Sequence, residues 1–366
     1  MKFPKIIELE RLLNNSNANL DQVVLLACQH LLASNGSVFE ALNKHGLQYP
    51  NMFIIGKCYS ANADVCEELK KRGAKVLIPK KPDIPLSFDY RKSLANAASR
   101  MLAEIIKHTL VGKKLSTLLI VDDGGEIITK ANDILDFRLK IVAVEQTRSG
   151  IDRLRSLICR FPVINVAESE EKLTKESPII AQSILDHINA AAVIPPLEKS
   201  NVLILGAGSI GSAVYNLVQE VAKSVESYDT LHTGTINDKE LEETLPITNI
   251  IIGTTGANCL NQRIINNLKE GAVLISASSS NTEFIHESFF VNPTEKISKL
   301  GGVRQNTTLR NNYGNKVTLI NEGFPINFDG SKDPISVNKI KLTRILITRG
   351  ILQALNEQAN EIRTLK

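Results

Sequence analysis

The segment Asn201-Val-Leu-Ile-Leu-Gly206-Ala-Gly208-Ser-Ile-Gly211 is an unbroken apolar run that ends in a GxGxxG turn. Such a run reads as a strand buried on both faces, and the glycines restrict the turn and helix after it. Gly206 permits a sharp reversal, Gly208 leaves the backbone open to a ligand, and Gly211 lets the next helix lie close to the strand. The first N–H groups of that helix, around Ser209 and Ile210, together with its positive dipole end, suit a pyrophosphate. Asp229 ends the next predicted strand, roughly 20 residues on, where such folds place a carboxylate on the adenosine ribose. A carboxylate there repels a 2′-phosphate, so the pattern predicts NAD rather than NADP. Thr254, Thr255 and Gly256 come after another apolar run and fall on the same side of the sheet.

Around this unit, short apolar runs alternate with amphipathic stretches almost from end to end, the pattern of parallel sheets covered by helices. Strands are predicted over 23–27, 52–56, 75–78, 117–121, 140–144 and 163–166, with helices over 37–45, 63–72 and 91–108. Pro195-Pro196 breaks the helical stretch 178–192 and marks a joint. Beyond it, strands are predicted at 202–205, 227–229, 249–252 and 272–276, with helices at 210–221 and 262–268. One strand, 317–320, stands out in the Gly- and Asn-rich stretch 300–333, and a long helix covers 336–357. The fold class is α/β with two doubly wound Rossmann-like domains: a discontinuous substrate domain over 1–192 and 334–366, and an inserted NAD-binding domain over 193–333. A chain of 366 residues is long for a single core, which agrees with two.

Composition narrows the function classes. No apolar run approaches the roughly 18 residues of a membrane span and no apolar signal core comes after Met1, so a cytoplasmic chain with no membrane partner is expected. Five cysteines without a CxxC pair suit free thiols in a reducing compartment and argue against bound metal. A net charge of +4 without a basic stripe gives no footprint for nucleic acid.

The order of landmarks resembles the S-adenosyl-L-homocysteine hydrolase (adenosylhomocysteinase) family. They are Cys28-Gln29-His30, Asp122-Asp123-Gly124-Gly125, Glu145-Gln146-Thr147-Arg148-Ser149-Gly150, the Pro162–Val166 block with Lys172, the glycine turn, Thr254-Thr255-Gly256, and Glu322-Gly323 with Asn327. The resemblance implies NAD-dependent oxidation of a ribose 3′-hydroxyl, elimination of a thiol from C5′, addition of water, and re-reduction. It implies Lys172 as base near the 3′-hydroxyl, with Glu176 nearby, Asp123 among the groups handling the C4′ proton, and His30 near the C5′ leaving group. It also implies cofactor contacts at Thr147, Arg148, Ser149 and Asn327. A lysine beside a positive nicotinamide has its pKa lowered and becomes a usable base.

The chain departs from the family pattern where the nucleoside is held. Leu32 and Ser34 stand where the family has Thr and Glu, and Gln146 replaces a Glu. Ser279 lies in Ser278–Asn281, which takes the place of a GHFD turn, and Asp333 replaces a His. The chain ends at Lys366, short of the family's cofactor-covering C-terminal arm, so a homodimer or homotetramer without arm exchange is expected. The expected function is therefore a divergent hydrolase of a ribosyl or nucleoside thioether with altered adenine recognition. A non-catalytic NAD-binding sensor or partner protein is the alternative from another class, and a genuine S-adenosylhomocysteine hydrolase is the third.

The Asp229 reading is directly testable. Asp229→Ala is expected to loosen NAD and to erase discrimination against NADP in a titration with both cofactors; equal affinity of the unaltered chain for the two would refute the assignment.

Overall fold

The computed structural model describes residues 1–79, 90–110, 115–134, 138–284, 295–300, 304–310 and 314–366. The chain divides into two units, one made of Met1–Lys80, Arg91–Glu176 and Ser331–Lys366, the other built on Ser177–Gly330. Each is organised around its own sheet.

The first unit contains α1 (Ile7–Asn14), β1 (Val23–Gln29), α2 (Ala33–Lys44), β2 (Met52–Gly56), α3 (Ala63–Lys71), β3 (Lys75–Leu77), α4 (Tyr90–Leu110), β4 (Thr117–Asp122), α5 (Glu126–Asn132), β5 (Lys140–Glu145), α6 (Arg148–Leu154) and β6 (Val163–Asn165). The far end of the chain adds α11 (Val337–Asn356) and β14 (Ile362–Thr364). The sheet order is β3-β2-β1-β4-β5-β6-β14, and every pairing is parallel. All seven residues of β1 are buried, as a parallel strand covered on both faces requires. One face is sealed by a cluster that joins Leu9 and Leu13 of α1, Val38 and Leu42 of α2, and Leu346, Ile347 and Ile351 of α11 to Leu25, Leu119, Val142 and Val144.

Three strands run beyond their apolar cores, to Gln29, Asp122 and Glu145, because these polar residues are buried and the ladder continues through them. Hydrophobic patterning registers only the apolar part. Helix α2 begins at Ala33, ahead of the predicted start at Ser37, and its N-cap Leu32 has no capping side chain. Instead, Asp333 Oδ1 accepts the Ser34 N–H at 3.0 Å from 299 residues away, a cap invisible to local sequence. The edge strand β14 was not expected; so short a segment gives no periodic signal, and pairing with β6 creates it.

The second unit contains α7 (Ser177–Ala190), β7 (Asn201–Leu205), α8 (Ser209–Val218), β8 (Ser224–Tyr228), α9 (Asp238–Thr244), β9 (Ile250–Gly253), α10 (Gln262–Asn267), β10 (Val273–Ser276), β11 (Glu295–Leu300), β12 (Arg304–Arg310) and β13 (Lys316–Leu319). Its order is β8-β7-β9-β10-β13-β12-β11, with β12 antiparallel to both neighbours. The strand predicted over 227–229 is corrected to Ser224–Tyr228. As an edge strand it is only partly covered and carries no apolar run. The stretch 300–333 holds β12 as well as the predicted strand, while 301–303 and 311–313 lie outside the described residues. Asn306, Thr307 and Thr308 are buried polar residues, which hid β12 from hydrophobic patterning.

Leu119 is fully buried in β4, whereas Ile158 is 90% exposed. Leu119→Ala is expected to cost about 2–5 kcal/mol in urea unfolding of the first unit, and Ile158→Ala less than about 0.5 kcal/mol.

Candidate functional site

In the first sheet the chain leaves β1 toward β2 on one side, and later returns on the other side as β4. Connections that diverge in this way leave a crevice beyond the strand ends, where open α/β sheets bind ligands. The residues that emerge there are His30 after β1 and Asp123 after β4. Lys57, directly after β2, is 1% exposed and pairs with Asp123 Oδ1. The Gln146 amide donates to Asp123 Oδ2, and His30 Nε2 lies 3.3 Å from the same oxygen. Ser60 Oγ is 2.6 Å from His30 Nδ1, and the Tyr59 ring meets the imidazole edge-on at 5.7 Å. A carboxylate only accepts, so Nε2 carries the imidazole proton and Ser60 donates to Nδ1.

The electrostatics are set by burial and pairing. Burial works against the Asp123 carboxylate, but Lys57 and His30 outweigh it and hold the group well below the usual carboxylate range. Burial likewise opposes the Lys57 ammonium, and Asp123 above all keeps it charged to more alkaline pH than usual. Burial pulls His30 below its ordinary value, offset in part by Asp123, which leaves it neutral near pH 7. Two further carboxyls support the floor of the site. Asp122 accepts the Ile127 and Ile128 N–H groups at 2.8 and 3.0 Å and so caps α5. Glu145 accepts from Gly124 N–H at 3.1 Å and from Thr147 N–H at 2.7 Å. Burial raises both, helped at Asp122 by Glu145 and at Glu145 by Asp123.

A second group of residues in this unit lies at the π-helical turn Lys172–Glu176, a local distortion frequent at functional sites. Lys172 Nζ is 3.2 Å from Glu176 Oε1, and Thr343 Oγ1 donates to Glu176 Oε2 at 2.6 Å. Both pair members are largely buried, so this is not a solvated surface bridge. Arg344, the next residue on α11, is buried and donates through Nε and Nη2 to Ser34 Oγ at 3.3 and 3.1 Å. Burial lowers its pKa to about 10, against the pull of Glu176, Asp333 and Asp123.

The second unit repeats the switch-point logic. β7 lies between β8 and β9, and its end is the glycine turn. Gly206 has φ 109°, and a Cβ on Gly211 would lie 2.0 Å from the Gly206 carbonyl oxygen, so both positions require glycine. A Cβ on Gly208 would meet no atom within 4 Å. The open side of the turn thus fits a pyrophosphate approaching the start of α8. Asp229 Oδ2 accepts the Ala207 N–H at 2.7 Å, which ties the residue after β8 to the turn itself. Burial opposes its charge, and the Ala207 and Leu231 N–H groups with His232 lower its pKa. Thr254 Oγ1 donates to the Gly206 carbonyl at 3.0 Å. Buried Glu283 accepts the Thr255 and Gly256 N–H groups at 2.6 and 3.1 Å and the Ser276 hydroxyl at 2.7 Å, fixing the loop after β9.

The structure thus brings His30, Asp123 and Gln146 together, Lys172 with Glu176, Ser34 with Asp333, and the turn with Asp229 and Thr254. Leu32 is buried at the start of α2. Thr147 caps α6, and Arg148 is exposed in ion pairs with Asp152 and Glu168, with Ser149 beside them. Asn327 is buried next to Ile326, whose N–H donates to the Ser276 carbonyl at the end of β10. Ser279 is half-buried in the loop after β10. Sequence reading missed Lys57, Ser60, Glu283 and Arg344. A charged residue directly behind the apolar run of β2 was a usable signal for Lys57. Arg344 sits in an amphipathic helix like any surface arginine and carries none.

No protein-family model matches the chain. It is 32% identical over 374 residues to the uncharacterized protein Rv0104 of Mycobacterium tuberculosis H37Rv, covering 98% of this chain and 69% of that protein. It is 26% identical over 239 residues to S-inosyl-L-homocysteine hydrolase of Methanopyrus kandleri, covering 61% of this chain and 55% of that one. Over 298 residues it is 27% identical to adenosylhomocysteinase of Thermotoga maritima, covering 74% and 71%. The similarity to the two hydrolases is distant and partial.

Lys57→Met leaves the Asp123 carboxylate buried without its cation and is expected to cost about 3–5 kcal/mol at pH 7. With Lys57 present, the depressed Asp123 pKa adds stability above the unfolded carboxyl value, about 3.9, and loses it only at more acid pH. Without Lys57, protonation relieves the buried charge. The cost of the substitution therefore shrinks from pH 7 to about pH 4 in urea unfolding; a cost independent of pH would show that the pair is not what holds Asp123 ionised.

Proposed function

This chain belongs to the family of the mycobacterial protein Rv0104, and we propose that it is an NAD-dependent enzyme of the adenosylhomocysteinase type acting on a nucleoside or ribosyl thioether. The observation that carries the reading is the His30–Asp123–Lys57 cluster at a sheet switch point, its ion pair buried, in a chain that also holds an open glycine turn for a dinucleotide. The names of the two hydrolase relatives, whose substrates are homocysteine thioethers of inosine and adenosine, support the substrate class.

When bound, NAD supplies reversible oxidation at the ribose 3′-carbon. The chain's own residues divide the remaining work. Gly206, Gly208 and Gly211 with the N–H groups of Ser209 and Ile210 seat the pyrophosphate, and Asp229 reads the ribose. Lys172, positioned by Glu176, which Thr343 orients in turn, is the base that takes the 3′-hydroxyl proton and gives it back on re-reduction. Asp123 orients His30 and, by the resemblance, is among the groups that take up the C4′ proton. His30 stands at C5′, where it hands a proton to the departing sulfur and regains one from the water that adds there. Thr147, Arg148, Ser149, Thr255, Gly256 and Asn327 remain cofactor contacts by resemblance, and Leu32, Ser34, Gln146, Ser279 and Asp333 the altered substrate positions.

One observation favours a second reading, a non-catalytic NAD-binding protein. Both Asp123 oxygens are already engaged, by Lys57 on one side and by Gln146 and His30 on the other.

The deciding experiment incubates NAD-loaded protein with nucleosides and their homocysteine thioethers in deuterated water, tracking reduced nicotinamide by absorbance and C4′ deuterium by mass spectrometry. Reduction and exchange are expected, with His30→Ala lowering thioether cleavage by about 10²–10⁴-fold. No reduction by any sugar ligand, with Lys172→Ala indistinguishable from the parent, would establish the second reading instead.

A further inference from the structure

Arg344 is 4% exposed, and Ser34 Oγ is its hydrogen-bond acceptor, reached by Nε and one Nη2 hydrogen. A guanidinium has five N–H donors. The two on Nη1 and the second on Nη2 have no acceptor among the described residues. One of the Nη1 hydrogens and the second on Nη2 form the end-on fork, two parallel N–H groups that match a planar ligand with two acceptors side by side.

No carboxylate among the described residues comes within ion-pair distance of this cation, because each one nearby is engaged elsewhere. Asp333 Oδ1 accepts from Ser34 N–H, Glu176 is held between Lys172 and Thr343, and Asp123 between Lys57, Gln146 and His30. At longer range, Glu176, Asp333 and Asp123 still favour the charged guanidinium. The charge is thus balanced by its surroundings, whereas three of its donors meet no acceptor among the described residues. A neutral ligand edge with two acceptors completes this arrangement; a further anion would bring an unbalanced negative charge against Asp333 and Glu176. Ser34, which Arg344 holds, stands at the position where the resemblance puts a nucleoside-holding glutamate. The acceptor of the family pattern is thus replaced here by a pair that presents donors.

We infer that Arg344 reads the base of the substrate, and that the base is a 6-oxopurine, which presents O6 and N7 as adjacent acceptors to the fork. A 6-aminopurine presents an amino donor at the same edge and would face N–H against N–H. The inference rests on the proposed nucleoside activity and names its substrate class.

The test is calorimetric titration of the NAD-loaded protein with inosine, guanosine, adenosine and free homocysteine, alongside nicotinamide reduction. Inosine and guanosine are expected to bind about tenfold or more tighter than adenosine, the discrimination of one bidentate arginine contact. Arg344→Met is expected to remove that preference. Arg344→Lys keeps the charge without the fork and is expected to lose most of it while retaining the parent's melting temperature. The wild-type ratio needs no variant, so a misfolded substitution does not protect the inference. Adenosine binding as tightly as inosine, or a preference unchanged in both variants, overturns it. So does Arg344→Met weakening homocysteine rather than the base, which would make the fork a carboxylate site. A 6-oxo preference without nicotinamide reduction would leave this assignment standing and remove the catalytic reading; reduction by inosine and adenosine alike, insensitive to Arg344, would do the reverse.

Discussion

A carboxylate and an ammonium taken out of water are tolerated only as partners, and the Lys57–Asp123 pair imposes that condition at the strand ends of the first sheet. The residues around it keep the pair satisfied. Gln146 and His30 complete the coordination of Asp123, the Tyr59 ring lies 5.8 Å from the ammonium, and Ser60 orients the imidazole from its other nitrogen. The consequence for chemistry is a division of states between neighbouring groups: a carboxylate held acidic and an imidazole held neutral. Environments that push neighbouring groups apart in this way are how one site assigns fixed and exchanging proton roles at a single pH.

Both units place their polar residues by one topological device. In each sheet, adjacent strands whose connections run opposite ways open a crevice, and the residue after the strand end falls into it. In the first unit that residue is His30 or Asp123; in the second it is Gly206 or Thr254. The floor is built alike, since Glu145 gathers the N–H groups of Gly124 and Thr147 while Glu283 gathers those of Thr255 and Gly256. A buried carboxyl that accepts several loop N–H groups holds a turn more firmly than loop sequence does, because each amide would otherwise be buried unsatisfied.

The departures from the hydrolase pattern around α2 and α11 form one connected change. Ser34 takes hydrogen bonds from Arg344 through its hydroxyl and gives one to Asp333 through its amide, so two positions that depart from the hydrolase pattern are tied to each other and to the buried guanidinium. Altering any one of the three alone would leave a donor or acceptor without its partner.

Fold class and the dinucleotide turn were legible in the sequence, because buried parallel strands must be apolar throughout and a turn that approaches a phosphate must be glycine. His30, Asp123 and Lys172 were named from family order, and Asp229 from its spacing. The strand tips Gln29, Asp122 and Glu145, the edge strands β8 and β14, the polar strand β12 and the distant cap of α2 were not legible. Each depends on pairing or burial supplied by residues far along the chain, which leaves no periodicity in the segment itself. The same reason hid Lys57 and Arg344. An isolated lysine or arginine reads as solvated surface until the fold buries it, and only the tertiary structure decides which carboxylate it meets and which of its hydrogen bonds are left for a ligand.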